Sequence, residues 1–336
     1  MKSCADLRVL FRAPAGARRG FGHLVRCRSL ARALGVRPLV ALRGTSDAMH
    51  TAISLGCDVV RGPASQLIGA LQPDVLVVDD PIAGDAKRWI DAARREGCVV
   101  VSVHDLGLGC LDADLIVDGS VTRWPEAGRG ELLIGTRYAV LDPVFSGESD
   151  DDETADENGD RVREPRMPQV LIALGGGPRS ELAREIANVL VGLEPRVDVR
   201  IAGGFLAPSA PTQPHVTWVG PRRGLVHEFV RADVAVVGGG VSLYEACAAG
   251  VATVGVPVVD AQRPTVAAFV NRGAALGITE HEDVRPETVA TDALALLADA
   301  ALRRRLARKA RRLVDGKGAL RVAAAIARVA EANRRN

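Results

Sequence analysis

Several things are missing from this sequence of 336 residues. No run of about 18 consecutive apolar residues is present, so nothing in it spans a bilayer as a hydrophobic helix. The first residues, MKSCADLRVLF, carry an early acid and too short an apolar stretch for the h-region of a secretory signal. Both absences predict a cytoplasmic protein without stable membrane insertion. Six cysteines (Cys4, Cys27, Cys57, Cys98, Cys110, Cys247) are scattered without any CxxC pair. That spacing excludes the common zinc and disulfide frameworks and leaves them as small buried hydrophobes. An excess of one charge is also lacking: 43 Lys and Arg against 41 Asp and Glu give a net charge of +2. A globally basic nucleic-acid surface is therefore not expected. Neither a Walker loop nor G-x-G-x-x-G occurs, and Gly20-Phe21-Gly22-His23-Leu24-Val25 puts Val25 where the third glycine belongs. An NAD-dependent dehydrogenase is excluded on that ground, and no dinucleotide cofactor is expected.

What is present is segregated charge on a periodic chain. Residues 148–160 carry eight acids and no base, whereas 303–312 carry seven bases and no acid. The length suits two domains of about 150 residues. Apolar runs LRVLF, PLVAL, DVLVVDD, CVVVSV and DLIVDG alternate with amphipathic stretches in the first half. The pattern collapses in SGESDDDETADENGDRVREPR, which reads as a solvated linker. A calcium loop does not fit there, because Thr154 stands where the first aspartate ligand belongs. After it QVLIAL, VDVRIAGG, HVTWVG, DVAVVGGG and VATVGVPVV repeat the same grammar. The expectation is an α/β protein of two doubly wound Rossmann-like domains facing across a cleft, with ligands at the carboxyl ends of the strands. The boundaries read as 1–146 for the first domain, 147–166 for the linker, 167–318 for the second domain and 319–336 for a C-terminal helix. The two terminal helices are expected to cap the second domain, their arginines forming a solvated face.

Three glycine-rich turns close strands: Gly20 to His23, Gly175-Gly176-Gly177, and Gly238-Gly239-Gly240. Glycine admits close approach of a ligand to the main chain, and the following helix offers amides and the positive end of its dipole to phosphate. Each turn alone reads equally as a packing bend; together they favour binding. Ser242 is placed to cap the helix after the third turn and to face a phosphate. Glu245 reads either as an acid favoured near a helix start or as an acceptor for two ribose hydroxyls. His23 reads either as polar punctuation or as a general base near neutral pH. Arg26 is expected to share its helix face and supply a fixed positive charge, while Leu24, Cys27, Leu30, Ala31 and Leu34 form the apolar stripe, with Arg26 off it.

The stretch GFGHLVRCRSLARAL resembles the opening of the UDP-diacetamido-trideoxy-altrose hydrolases of pseudaminic acid synthesis and of the related spore-coat polysaccharide proteins, whose first loop reads G-x-G-H-x-x-R-C. LLIGTRYAVLDPVF and GGGVSLYEACAAGVATVGVP agree with the same family, and the layout is more distantly similar to the lipid-linked GlcNAc transferase of peptidoglycan synthesis. The resemblance implies a GT-B fold and a UDP-sugar substrate in surface-polysaccharide precursor synthesis. It implies that His23 is the base activating water, with Gly22, Arg26 and Gln262 at the sugar. It further implies that UDP lies on the second domain, with Glu245 at the ribose and Gly175, Gly176, Gly177, Gly239, Gly240 and Ser242 near the phosphates, and that no metal is needed. The chain departs from the family at Pro81 and Ile82, where a tyrosine is usual, and at Ala261, where an asparagine precedes the glutamine. Both departures fall at the sugar end. Hydrolysis of a UDP-sugar, transfer of the sugar to an acceptor, and a degenerate nucleotide-sugar binding protein are the three readings; the oligomeric state is left open.

Overall fold

The structure, a computed structural model, describes residues 7–16, 20–104, 112–122, 130–147, 166–175, 179–204, 214–220, 224–278 and 284–335. The acidic run, Gly176 and Gly177 lie outside the described residues. The chain divides into two compact units, Met1–Pro143 with Lys317–Asn336, and Val144–Gly316.

The first unit runs Val9–Pro14 (β1), Gly22–Leu34 (α1), Leu39–Arg43 (β2), Ser46–Ser54 (α2), Asp58–Val60 (β3), Ala64–Leu71 (α3), Val75–Val78 (β4), Ala83–Arg95 (α4), Val99–His104 (β5), Leu115–Asp118 (β6) and Glu131–Ile134 (β7). All seven strands pair in parallel in the order β3-β2-β1-β4-β5-β6-β7. The central strands are rich in apolar residues because a parallel sheet is covered on both faces, with Arg12 of β1 and Ser102 and His104 of β5 as buried polar exceptions; β4 is apolar and buried at every position. The edge strands β3 and β7 lack such runs, since an edge is only half enclosed, and hydrophobic pattern alone does not reveal them.

Side chains alternate along a strand. Leu76 and Val78 of β4, with Leu10 of β1, pack against Ile68 of α3 and Trp89 of α4. Two consecutive acids after β4 therefore leave toward opposite faces. Asp79 turns to α1. Asp80, whose side chain is fully buried, turns to the α4 side, where Arg43 Nη2 donates to its Oδ1 at 2.5 Å and Arg12 Nε lies 3.4 Å from its Oδ2. Arg12 also donates to Asp85 at 2.5 Å and stacks over the Trp89 ring at 5.0 Å. A buried carboxylate is tolerated only with such pairing.

The second unit runs Gln169–Ala173 (β8), Ser180–Leu193 (α5), Asp198–Ala202 (β9), Val216–Val219 (β10), Val226–Arg231 (α6), Val234–Gly238 (β11), Val241–Ala249 (α7), Ala252–Val256 (β12), Arg263–Asn271 (α8), Leu276–Gly277 (β13), Pro286–Ala298 (α9) and Ala300–Leu313 (α10). Its six parallel strands take the order β10-β9-β8-β11-β12-β13. Both sheets are doubly wound, as expected. Each reverses direction once, between β1 and β4 in the first and between β8 and β11 in the second. Ligands of such sheets collect at the carboxyl ends of the strands flanking that switch point.

The last helix, Gly318–Arg335 (α11), corrects the expectation that both terminal helices cap the second domain. Only α10 packs there, against α7 and β12. The α11 face bearing Val322 and Ile326, both fully buried, packs against α1 of the first unit. Polar contacts fasten it: Arg328 reaches both oxygens of Glu131 at 2.6 Å, Arg334 lies 3.0 Å from Asp74, and Asn333 Nδ2 donates to Gly97 O at 3.0 Å. An alanine-rich face lets two helix backbones approach, a preference that charge counting along the sequence does not expose. Replacing Ile326 with alanine should cost about 2–5 kcal/mol of stability in urea unfolding, whereas Arg335→Ala at the exposed end should cost under about 0.5 kcal/mol.

Candidate active site

The loop after β1 is closed by reciprocal hydrogen bonds, Gly16 N to Gly20 O at 3.1 Å and Gly20 N to Gly16 O at 2.8 Å. Gly20 adopts φ +75°, the left-handed region that favours glycine. The turn buries Phe21 as the N-cap residue of α1 and puts His23 in the first helical turn. Because β1 and β4 are neighbours across the switch point, that turn meets Asp79.

Three side chains converge there. His23 Nδ1 is 2.8 Å from Asp79 Oδ1, Arg26 Nε donates to Asp79 Oδ2 at 2.6 Å, and Arg26 Nη2 donates to Oδ1 at 2.5 Å. Arg26 Nη2 also lies 3.1 Å from His23 Nδ1. These contacts choose the imidazole tautomer. A carboxylate only accepts and a guanidinium only donates. A lone pair on Nδ1 would face a carboxylate oxygen at the shorter distance, so Nδ1 carries the proton and donates to Asp79. The basic lone pair is then on Nε2.

Asp79 is 2% exposed and His23 keeps 17% of its side-chain surface. Burial by itself raises the Asp79 pKa; the charge of Arg26 and the hydrogen bonds from His23 and Arg26 outweigh it and hold the carboxyl well below the usual range. Burial, then the nearby Asp79 charge, push the Cys27 thiol up, which makes it an inert core group. The four described cysteines, Cys27, Cys57, Cys98 and Cys247, are all buried and free, and Cys4 and Cys110 lie outside the described residues.

Arg26 departs from expectation in one respect. It is 7% exposed, on the buried side of α1, with Nε and Nη2 both committed to Asp79. Sequence reasoning missed Asp79 altogether. The available signal was an acid pair ending a strand with no polar residue before it.

In the second unit the β11 turn is walled by its neighbours. A Cβ on Gly238 would lie 2.9 Å from Leu174 O after β8, and one on Gly239 would lie 2.7 Å from Val266 Cγ2 and 3.0 Å from Gln262 Cβ. Glycine is required at both by close packing. Gln262 Oε1 accepts from Val258 N at 3.1 Å, and its Nε2 is 3.3 Å from the Cβ position of Gly240. Gly239, Gly240 and Gln262 are thus brought together at the carboxyl ends of β11 and β12. Arg179, at the start of α5, donates to Val258 O and ties in the β8 side. Gly175 follows β8 with φ +98°.

Two expectations on α7 are corrected. Gly240, not Ser242, is the N-cap residue, and no side chain caps the helix, because Ser242 already lies inside it. Glu245 falls beyond the first turn, which contains no acid. Tyr244 stands edge-on to Phe269 at 5.0 Å, a packing role. Among the described residues no group of His, Cys, Asp or Glu is arranged to hold a metal, and no helix is long and apolar enough to cross a membrane.

Two parallel, doubly wound sheets with glycine turns at both switch points define the GT-B fold class. The chain is similar to the spore coat polysaccharide biosynthesis protein SpsG of Bacillus subtilis, 26% identical over 93% of this chain and 95% of that protein. Solved structures of like fold include MurG of Acinetobacter baumannii (TM-score 0.62, 18% identity, 96% and 99% of the two chains). The spinosyn forosaminyltransferase SpnP is similar at TM-score 0.63 and 16% identity, over 97% and 100%. MnaA of S. aureus, solved with UDP, is similar at 0.56 and 12%, over 94% of both chains. No family model matches the chain.

Asp79→Asn should lose about 3 kcal/mol at pH 7 by leaving Arg26 buried without a counter-charge. A depressed folded-state pKa contributes stability that is present above the unfolded value of about 4 and lost as pH falls through the folded one. The gap between wild type and variant, read by urea unfolding, should therefore narrow below about pH 4. Gly239→Ala should cost about 1–3 kcal/mol through displacement of Val266 and Gln262, read as a lower melting midpoint.

Proposed function

We propose that the protein is a nucleotide-sugar enzyme of the GT-B fold that hydrolyses a UDP-sugar in surface-polysaccharide precursor synthesis. The observation carrying this reading is the hydrogen bond from His23 Nδ1 to buried Asp79, which leaves Nε2 as the base. In the reaction, Nε2 takes a proton from water as the water oxygen bonds to the anomeric carbon. The bond from that carbon to the diphosphate oxygen breaks, and its electron pair leaves with UDP. Asp79 holds the ring and stabilises the imidazolium that forms. Arg26 acts on Asp79 rather than on the sugar, while Gly22 at the start of α1 borders the substrate.

The second unit holds the nucleotide in this reading. The β11 turn, Gly239 and Gly240, with Ser242 in the first turn of α7, faces the diphosphate, and uncapped α7 amides take up leaving-group charge. Gly175, Gly176 and Gly177 are assigned to the phosphates in the same reading, Glu245 accepts from the ribose hydroxyls, and Gln262 meets the sugar through Nε2. Similarity to the spore-coat protein along nearly the whole chain supports the biosynthetic setting. The same base would equally deprotonate an acceptor hydroxyl, and transferases are among the structures of like fold.

His23→Ala should lower UDP release from UDP-sugars about a hundredfold or more while leaving UDP affinity unchanged in calorimetry. Unchanged turnover would refute the role of His23. Rapid UDP release without any acceptor is expected of a hydrolase; strict dependence on an added acceptor would assign transfer instead.

A further inference from the structure

The reaction written above gives Arg179 no task, and helix stability does not explain this residue either. Arg179 is the N-cap residue of α5, a position favouring short polar side chains that accept from the first amides, and a cation there faces the positive end of the helix dipole. Its side chain caps nothing. Glu181, the acid of the first turn, is paired with Arg184 at 3.6 Å, and among the described residues Arg179 forms no ion pair. Its one hydrogen bond among those residues runs to the carbonyl of Val258, two residues beyond β12.

That bond crosses the switch point. Strand β11 lies between β8 and β12, so a side chain that starts after β8 and ends on Val258 spans the carboxyl end of β11. The crossing is short because Leu174 and Val258 flank the β11 turn: a Cβ on Gly238 would lie 2.9 Å from Leu174 O and 3.5 Å from Val258 Cγ2. Val258 also fixes the side chain of Gln262, its N donating to Oε1 at 3.1 Å. Gln262 N donates to Val259 O at 2.9 Å, so main chain and side chain of Gln262 are both tied to the same two residues. With its oxygen committed, the carboxamide turns its nitrogen elsewhere. Nε2, 3.3 Å from the Cβ position of Gly240, has no acceptor among the described residues. Gln262 is the one carboxamide in residues 257–262, since Ala261 precedes it.

We propose that Arg179 is a positioning residue for Gln262. By holding the Val258 main chain from across β11 it keeps Val258 N aimed at Oε1, and the carboxamide then presents two N–H donors, and no acceptor, at the β11 turn. Without the guanidinium, Val258 is anchored from the β12 side alone, and the amide rotates about its last bond to present either atom. In the nucleotide-sugar reading, on which this assignment rests for its ligand, a fixed donor selects an acceptor oxygen of the sugar at that point.

The test is a side-chain amide NMR relaxation measurement on the full chain without ligand, the Gln262 signals being assigned by their loss in Gln262→Ala. The Nε2 group should show an order parameter near the rigid limit of about 0.85 in the wild type and below about 0.6 in Arg179→Met. Arg179→Lys keeps a charged donor for the Val258 carbonyl and should restore the rigid value. A double-mutant cycle by calorimetry reads the consequence for binding. The ratio of UDP-sugar to UDP affinity should fall about three- to tenfold in Arg179→Met and in Gln262→Ala, and no further when the two are combined. An order parameter unchanged in Arg179→Met, or losses that add in the double variant, would overturn the assignment. A wild type that binds no UDP-sugar would instead refute the function proposed above; the relaxation measurement needs no ligand and decides the role of Arg179 by itself.

Discussion

One buried carboxylate organises the first unit. Taking Asp79 out of water is costly, and the cost is offset only if fixed cations and donors surround it. Arg26 answers with two nitrogens and His23 with Nδ1. The three-residue spacing of His23 and Arg26 on α1 lets one carboxylate hold both, which locks that helix onto the end of β4. Burial, helix placement and imidazole tautomer are thus consequences of a single contact. A residue that looks catalytic in isolation becomes a defined base only through a partner 56 positions away.

The two units solve the same placement problem with different chemistry. Each sheet reverses at one point, and a chain leaving a strand there has room for a turn that the flanking strands do not cover. In the first unit the turn is opened by a left-handed glycine and filled with charge. In the second it is filled with close packing, where Val266 and Gln262 leave no space for a side chain on Gly239. Glycine there reflects crowding by the protein itself, and α7 begins directly after it with no side chain capping its first amides.

Much of this architecture was legible from residue order. Strands of a covered parallel sheet are rich in apolar residues, so β1, β2, β4, β5 and β6 and the second unit's β8 to β12 stood out as runs dominated by Val, Ile and Leu. Strands β3, β7 and β13 did not, being short and at edges. The histidine after its glycine turn was visible; its partner was not, because spacing says nothing of contacts between elements brought together by topology. Arg26 was placed on the correct helix but assigned away from the apolar stripe, since a pattern reading treats a guanidinium as solvent-facing until a buried acid is known. Ser242 and Glu245 were shifted relative to the start of α7 for a related reason. The helix begins at once after Gly240 without any side-chain cap, so no polar residue marks its boundary.

The return of α11 to the first unit makes that unit discontinuous in sequence, with the whole of the second unit intervening. During synthesis the second unit emerges complete and can fold as a block, whereas the face of α1 that meets α11 stays uncovered until α11 has left the ribosome. The helix that carries His23 and Arg26 therefore gains its full packing only after the whole second unit has been made, and chain termination anywhere between α1 and α11 yields a product in which that surface stays bare and prone to self-association.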